Sequence, residues 1–422
     1  MKTTQLLVAC LCWLAALTAQ AQDRGSVWVH GLGSNSAGEW AQWQNLFTNE
    51  RQLNNLSRGN FDTDQGINGM ANQVRSTYGG DSRTIFFGKS MGGVVGRELD
   101  VNQNGSFGGI ITAGSPLDGA RIANSVRSGE ATNAVEDGVN AAIEGPRRQL
   151  GIVAYVVSGI VINDQIRKLT QTANSFVSNN FTQGPTDLAE NSGYMNSGIR
   201  NAQTGTAKLL VYGNEESPVH WRIASQLFFD NDDDLVGYMR TAGDVYDAAM
   251  WVNYGLAAAS GVFTFGLSAI YFVWVADGWS QGMNWIRYDS ERVWNNLIGA
   301  GTPSTNTVCS TQIDWNGFNQ CMSSLGHQAT YQDYQNCQQQ NSSQYCYTYY
   351  ASVNGQSDAF IKAPSQTGYN SAWANTATRI EARGANHLEM RKHPRMEQIY
   401  RGVFEGNVDG QSIDPFFSTA RR

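Results

Sequence analysis

An α/β fold built on a mostly parallel sheet is what this sequence predicts, and three observations predict it. Short apolar runs rich in β-forming residues recur at 27–29, 84–87, 109–113, 208–212 and 378–382. They read as buried strands. Helix-compatible patterns separate the first three of them. Several of these runs end in glycine turns, notably Gly31-Leu32-Gly33, Gly88 to Gly93 and Gly213. Strands alternating with helices imply a sheet covered on both faces.

The elements follow in order. Val27-Trp28-Val29 is the first strand and runs into His30-Gly31-Leu32-Gly33. Amphipathic patterns predict helices over Gly38–Thr48 and Gly66–Tyr78. Thr84–Phe87 is a buried strand, Gly92–Leu99 a helix, Asn102–Gly105 a turn and Gly109–Ala113 the next strand. Residues 120–205 break the rhythm, being helix-prone and rich in Asn, Ser and Ala. Lys208–Tyr212 restores a core strand, and 214–350 interrupts again. Thr378–Ala382 is the last expected strand, with a closing helix over Arg391–Arg401.

The N-terminus predicts export. Met1-Lys2 is a short positive start, Leu6–Leu17 is almost wholly apolar, and Ala19-Gln20-Ala21 has a small-x-small cleavage pattern. Residues 1–21 therefore read as a signal peptide, which places the protein in the secreted, periplasmic or extracellular space. Cleavage removes Lys2 and no acid, taking the formal charge from −7 to −8. That charge disfavours nucleic acid as a partner. Four cysteines follow the leader: Cys309, Cys321, Cys337 and Cys346. Their spacing argues against a zinc knuckle, and an exported even set predicts two disulfides in one of three pairings.

Gly88-Lys89-Ser90-Met91-Gly92 fits Gly-x-Ser-x-Gly. The pattern alone is weak, because a glycine-rich turn can be incidental. Here it lies between an expected strand and an expected helix. A sharp strand-to-helix turn exposes the serine hydroxyl above a sheet, and the helix N-terminus favours developing negative charge. Lys89 on such a turn is expected to be exposed.

In its lipase-like branch, the α/β-hydrolase superfamily resembles this chain through three segments. They are Val27–Gly33, Phe87–Gly93 and Ile111-Thr112-Ala113-Gly114-Ser115-Pro116-Leu117-Asp118-Gly119. The likeness covers residues 26–120 well and 355–403 in part, and extends to bacterial lipases and relatives of GPI inositol-deacylases. Lys89 and Asp118 depart from it, standing where relatives commonly carry histidine. The resemblance implies an α/β-hydrolase fold with a large helical cap from two insertions. It divides the chain into leader 1–21, core 22–120, cap 121–205, core strand 206–213, second insertion 214–350 and core 351–422. It also implies an oxyanion hole from the backbone N–H groups of Leu32 and Met91. His30 then orders a loop.

The superfamily orders its triad as serine, acid and a late histidine. Of five histidines, His387 sits in a turn directly after the last expected strand, where a base can reach Ser90. His327 lies in the cysteine-rich insertion, and His393 is expected at the surface of the closing helix. Asp358 follows a turn and precedes apolar residues, 29 positions before His387. Asp234, in the acidic cluster Asp230–Asp234, is the rival acid.

Gly255–Ala276 carries no charge over 22 residues, long enough for a membrane span. A single span would separate Ser90 from His387, so the run reads as a buried or interfacial lid helix, or as a plain core helix. Together these features predict a secreted ester hydrolase of lipase or esterase type, acting without metal or organic cofactor on an ester or lipid substrate, with transient contact to a lipid surface. An amidase or acyltransferase using the same triad, and a binding or adhesion protein on the same scaffold, are the alternatives.

Overall fold

The computed structural model describes residues 24–34, 36–51, 53–56, 59–102, 107–131, 134, 183–215, 244–254, 267–313, 317, 320–321, 323–324, 336–337, 340 and 342–418. The leader, His220, the Asp230–Val236 cluster, His327 and residues 255–266 of the apolar run lie outside the described residues.

The strands are β1 (Gly25–Val29), β2 (Asn54–Asn55), β3 (Asp81–Lys89), β4 (Phe107–Ala113), β5 (Ala207–Asn214), β6 (Gly301–Ile313), β7 (Ser342–Asn354), β8 (Thr378–Arg383) and the short pair β9 (Asn407–Val408) and β10 (Gln411–Ser412). Helices α1 (Ser36–Asn45), α2 (Gly66–Tyr78), α3 (Met91–Asn102) and α4 (Pro394–Glu405) accompany the sheet. Six strands form that sheet in the order β2-β1-β3-β4-β5-β8, and every pairing in it is parallel. The order reverses between β1 and β3, the kind of switch point where the strands' carboxyl ends open a crevice. This is the expected α/β architecture, a parallel sheet accompanied by helices.

Alternation along each strand builds a core on both faces. Trp28, Ile85, Phe87, Ile111, Leu209 and Val211 join one cluster with Trp40 and Trp43 of α1 and Tyr400 of α4. Val27, Val29, Phe86, Ile110 and Leu210 join another with Ile67 and Met70 of α2 and Val94 and Val95 of α3. Trp28 stacks on Phe87 at 3.8 Å between ring centroids, tying β1 to β3 directly beneath the Ser90 turn.

The chain divides into two units. The first holds the described parts of 24–127, 179–217 and 356–422. Residues 183–205, expected in the cap, thus stand with the sheet, and buried carboxylates of α3 give the reason. Glu98 accepts from Tyr194 Oη at 3.0 Å. Asp100 accepts from Thr204 and Thr206, both at 2.5 Å, and from Trp373 Nε1 at 2.7 Å. A buried carboxylate needs such donors, and this polar-looking segment supplies them.

The second unit comprises the described parts of 128–178 and 218–355. It contains helical residues 244–254, the helix Leu267–Asn284, the helix Ser290–Ile298 and the long antiparallel pair β6–β7. Tyr246 meets Trp279 edge-on at 4.8 Å, joining two of its helices. Cys321 and Cys337 form a disulfide, and Cys309 stands opposite Cys346 in the β6–β7 register. The described end of the apolar run, Val275-Ala276, is buried. Among the described residues no helix is long and apolar enough to cross a membrane.

Candidate active site

Three chain segments converge at the carboxyl edge of the sheet. β3 delivers Ser90, whose backbone φ is 52°. A side chain in the left-handed region costs about 1–3 kcal/mol and persists only where the surroundings hold it. Ser90 N–H donates to Ala113 O at 2.9 Å, and Gly93 N–H donates back to Ser90 O at 3.1 Å. Both motif glycines are there for lack of room. A Cβ on Gly88 would stand 2.5 Å from the Gly92 carbonyl, and one on Gly92 would stand 2.4 Å from Val29 O. Only bare backbone lets α3 start against the ends of β1 and β3.

The loop after β8 delivers His387. Gly384 turns the chain at φ 77°, with its N–H donating to Asn214 O at 2.7 Å. Buried Asn386 then accepts the N–H groups of Leu388 and Glu389 at 3.0 and 2.9 Å, fixing the exit of the turn. The imidazole Nε2 lies 3.0 Å from Ser90 Oγ, and Nδ1 lies 2.7 Å from Asp358 Oδ2. An ionised carboxylate only accepts, so Nδ1 carries hydrogen and Nε2 accepts from the serine hydroxyl.

Asp358 is fully buried. Its Oδ1 accepts from Phe360 N–H at 3.1 Å and from Ile361 N–H at 2.7 Å, leaving Oδ2 for the histidine. Asp358 O also accepts from His387 N–H at 2.7 Å, so backbone and side chain both join the two residues. Ala359 within this turn has φ 74°.

The resemblance expects donors at Leu32 and Met91. Met91 opens α3, and the first N–H groups of a helix have no acceptor within it. His30 shapes the loop carrying Leu32. Its Nε2 accepts from Phe61 N–H at 2.9 Å and its Nδ1 donates to Gly31 O at 2.8 Å. Thr63 Oγ1 adds an acceptor for Gly33 N–H at 3.3 Å. Both nitrogens of His30 are used in holding the loop.

Ser90, Asp358 and His387 are therefore brought together, while Asp234 lies outside the described residues. Two expectations are corrected. Lys89, expected to be exposed, is only 4% exposed, because β3 runs one residue past Gly88 and pairs Lys89 with Ala113 of β4. His393, expected within the closing helix, precedes it as the cap, with Nδ1 accepting from Arg395 N–H at 3.2 Å. Pro394 sets the start of that helix. Asp118 stands apart from the triad. It is buried, accepts from Asn370 N–H at 2.8 Å and faces Arg200 Nε at 3.8 Å. Burial raises its carboxyl above the usual range, against the lowering effects of Asn370 N–H and then Arg200.

Sequence reasoning gave no role to Gly114 or Gly213, both of which touch the acid–base pair. A Cβ on Gly114 would lie 3.0 Å from Asp358 Oδ2, and one on Gly213 would lie 2.6 Å from Asp358 Cβ. Their position just past, or at the end of, a buried strand was the available signal.

No family model matches this chain, and no curated protein matches it. Among solved structures it is similar to the Bacillus licheniformis lipase BlEst2 in mature form, at 14% identity and a TM-score of 0.30, over 50% of this chain and 75% of that one. It is also similar to Est816, described as an N-acyl homoserine lactone degrading enzyme, at 15% identity and a TM-score of 0.29, over 50% and 82%. VinJ matches at 12% identity and a TM-score of 0.26, over 51% and 81%. Likeness at this level carries no information about activity.

Proposed function

We propose that this protein is an exported serine hydrolase that cleaves carboxylic esters with an apolar acyl chain. The observation that carries the reading is the unbroken relay Ser90 Oγ–His387 Nε2–His387 Nδ1–Asp358 Oδ2, at 3.0 and 2.7 Å, on a serine held at positive φ.

Ser90 Oγ attacks the ester carbonyl as its proton passes to His387 Nε2. The Asp358 carboxylate keeps the imidazole in the required tautomer and stabilises the imidazolium that forms. The N–H groups of Leu32 and Met91 receive the negative oxygen of the tetrahedral intermediate, each donor contributing about 3–4 kcal/mol. Collapse breaks the C–O bond to the alcohol, which takes the proton from Nε2. Water then repeats the sequence on the acyl-enzyme and releases the acid.

An apolar side chain beside the relay supports an acyl chain over a polar substrate: the Phe360 ring lies 5.6 Å from the His387 ring. On the second unit, Trp251 and Val252 are 64% and 59% exposed, which supports contact with a lipid surface. The sequence of residues 1–21 supports export.

A fluorophosphonate probe tests the reading. Wild type should be labelled and Ser90→Ala should not. Purified wild type should hydrolyse p-nitrophenyl esters faster than the matching anilides. Equal labelling of the two proteins, or none of either, overturns the proposal.

A further inference from the structure

We infer that Gln366 is a positioning residue, holding the turn that presents Asp358 to His387. The inference rests on the proposed reading for its catalytic consequence, though the geometry stands without it. Gln366 ends the short helix Ala363–Gln366 and is wholly buried. Its carboxamide is fully engaged. Oε1 accepts from Gly213 N–H at 2.8 Å, while Nε2 donates to Ile361 O at 2.7 Å and to Gly213 O at 3.4 Å. One side chain thus takes both backbone groups of Gly213, as a neighbouring strand would, and ties that residue to the turn.

The turn needs such a tie. Ala359 holds φ 74°, a conformation costing about 1–3 kcal/mol for a residue with a Cβ. Ile361 is the turn's pivot, since its N–H donates to Asp358 Oδ1 and its O accepts from Asp358 N–H at 3.1 Å. Gln366 grips that same Ile361 oxygen. Its other grip, Gly213, is where a Cβ would stand 2.6 Å from Asp358 Cβ, so the acid is seated directly on the residue that Gln366 fixes. The backbone of Gln366 is itself anchored, its N–H donating to Lys362 O at 3.2 Å. Without the carboxamide, Ile361 O and the Gly213 amide would be buried with fewer partners. The turn would then be free to relax its positive φ, moving Oδ2 from Nδ1.

Gln366→Met keeps length and bulk and removes all three hydrogen bonds. Gln366→Glu keeps the acceptor for Gly213 N–H but loses the donor to Ile361 O, and it serves if the Met variant does not fold. Two readouts are made on folded full-length protein. In wild type the His387 Nδ1–H, bonded to a carboxylate, should give a far-downfield proton resonance. In either variant that signal should vanish or broaden. On p-nitrophenyl esters kcat should fall about 10–10²-fold, as expected for misplacement of an orienting group, with KM nearly unchanged. An unaltered resonance and kcat in the folded variants overturn the inference, as does a rate loss that only tracks the unfolded fraction. If wild type proves unreactive while its downfield resonance is still lost on substitution, the proposed function fails and the role of Gln366 stands.

Discussion

Gly114 and His387 meet so closely that even a methyl group on Gly114 would have to displace its neighbours. A Cβ on Gly114 would stand 3.2 Å from His387 Nδ1, 3.0 Å from Asp358 Oδ2 and 2.8 Å from Met390 Sδ. Met390 could yield, but the other two atoms are the ends of the 2.7 Å hydrogen bond that orients the imidazole. Gly114 also holds φ 60°. Gly114→Ala should therefore displace the acid–base pair by a few tenths of an ångström and lower kcat about 10-fold, less than the cost of a full ångström at a reacting centre. Steady-state kinetics on an activated ester check this, and kcat within a factor of two of wild type would contradict it.

Asp358→Asn separates geometry from tautomer. The amide oxygen can keep the Phe360 and Ile361 N–H groups, which turns the amide nitrogen toward His387 Nδ1. Nδ1 must then accept, hydrogen moves to Nε2, and Nε2 no longer accepts from Ser90. The expected loss is about 10⁴-fold in kcat with the fold intact, as the proposed triad implies. Fluorophosphonate labelling should slow in parallel while the thermal midpoint stays close to wild type.

Much of this site was legible in the sequence because its parts are local. The run into Ser90 alternates between two buried faces, the motif glycines mark a turn with no space for Cβ, and His387 follows directly on a strand. What stayed hidden depends on partners distant in the chain. Residues 194–206 look like a polar insertion until Glu98 and Asp100 of α3 are seen to need their hydroxyls. Lys89 looks exposed because a turn motif does not reveal that β3 continues through it. Asp358 could be ranked above its rival from its spacing to His387, whereas Gln366 carries no signal of its own, being a glutamine whose partners lie 5 and 153 positions away.

Asp187 caps a helix from 120 positions away in sequence. Its Oδ2 accepts from Ile67 N–H at 2.9 Å, within the first turn of α2, and its Oδ1 accepts from Gln183 Nε2 at 2.5 Å. The N-terminal N–H groups of a helix have no internal acceptor, so removing the carboxylate leaves one unsatisfied. Asp187→Ala should destabilise the first unit by about 0.5–2 kcal/mol, the range for losing a helix cap. Urea unfolding should show the midpoint lowered at an unchanged slope.

Asp118 gives a pH dependence whose sign can be worked out. Burial raises its carboxyl, outweighing the Asn370 N–H and the Arg200 guanidinium 3.8 Å away. A carboxyl raised on folding binds its proton more tightly in the folded chain than in the unfolded one. Its contribution to stability is therefore complete below the unfolded value and is lost as pH climbs through the folded one. Asp118→Asn keeps an oxygen for Asn370 N–H and removes the charge that burial opposes. The variant should gain on wild type as pH rises: the difference in thermal midpoint, variant minus wild type, should be more positive at neutral pH than in acid below the ordinary aspartate range. Thermal unfolding of both proteins across that range decides it. A difference that falls with rising pH would mean that Arg200 outweighs burial and that Asp118 stabilises the fold as the carboxylate.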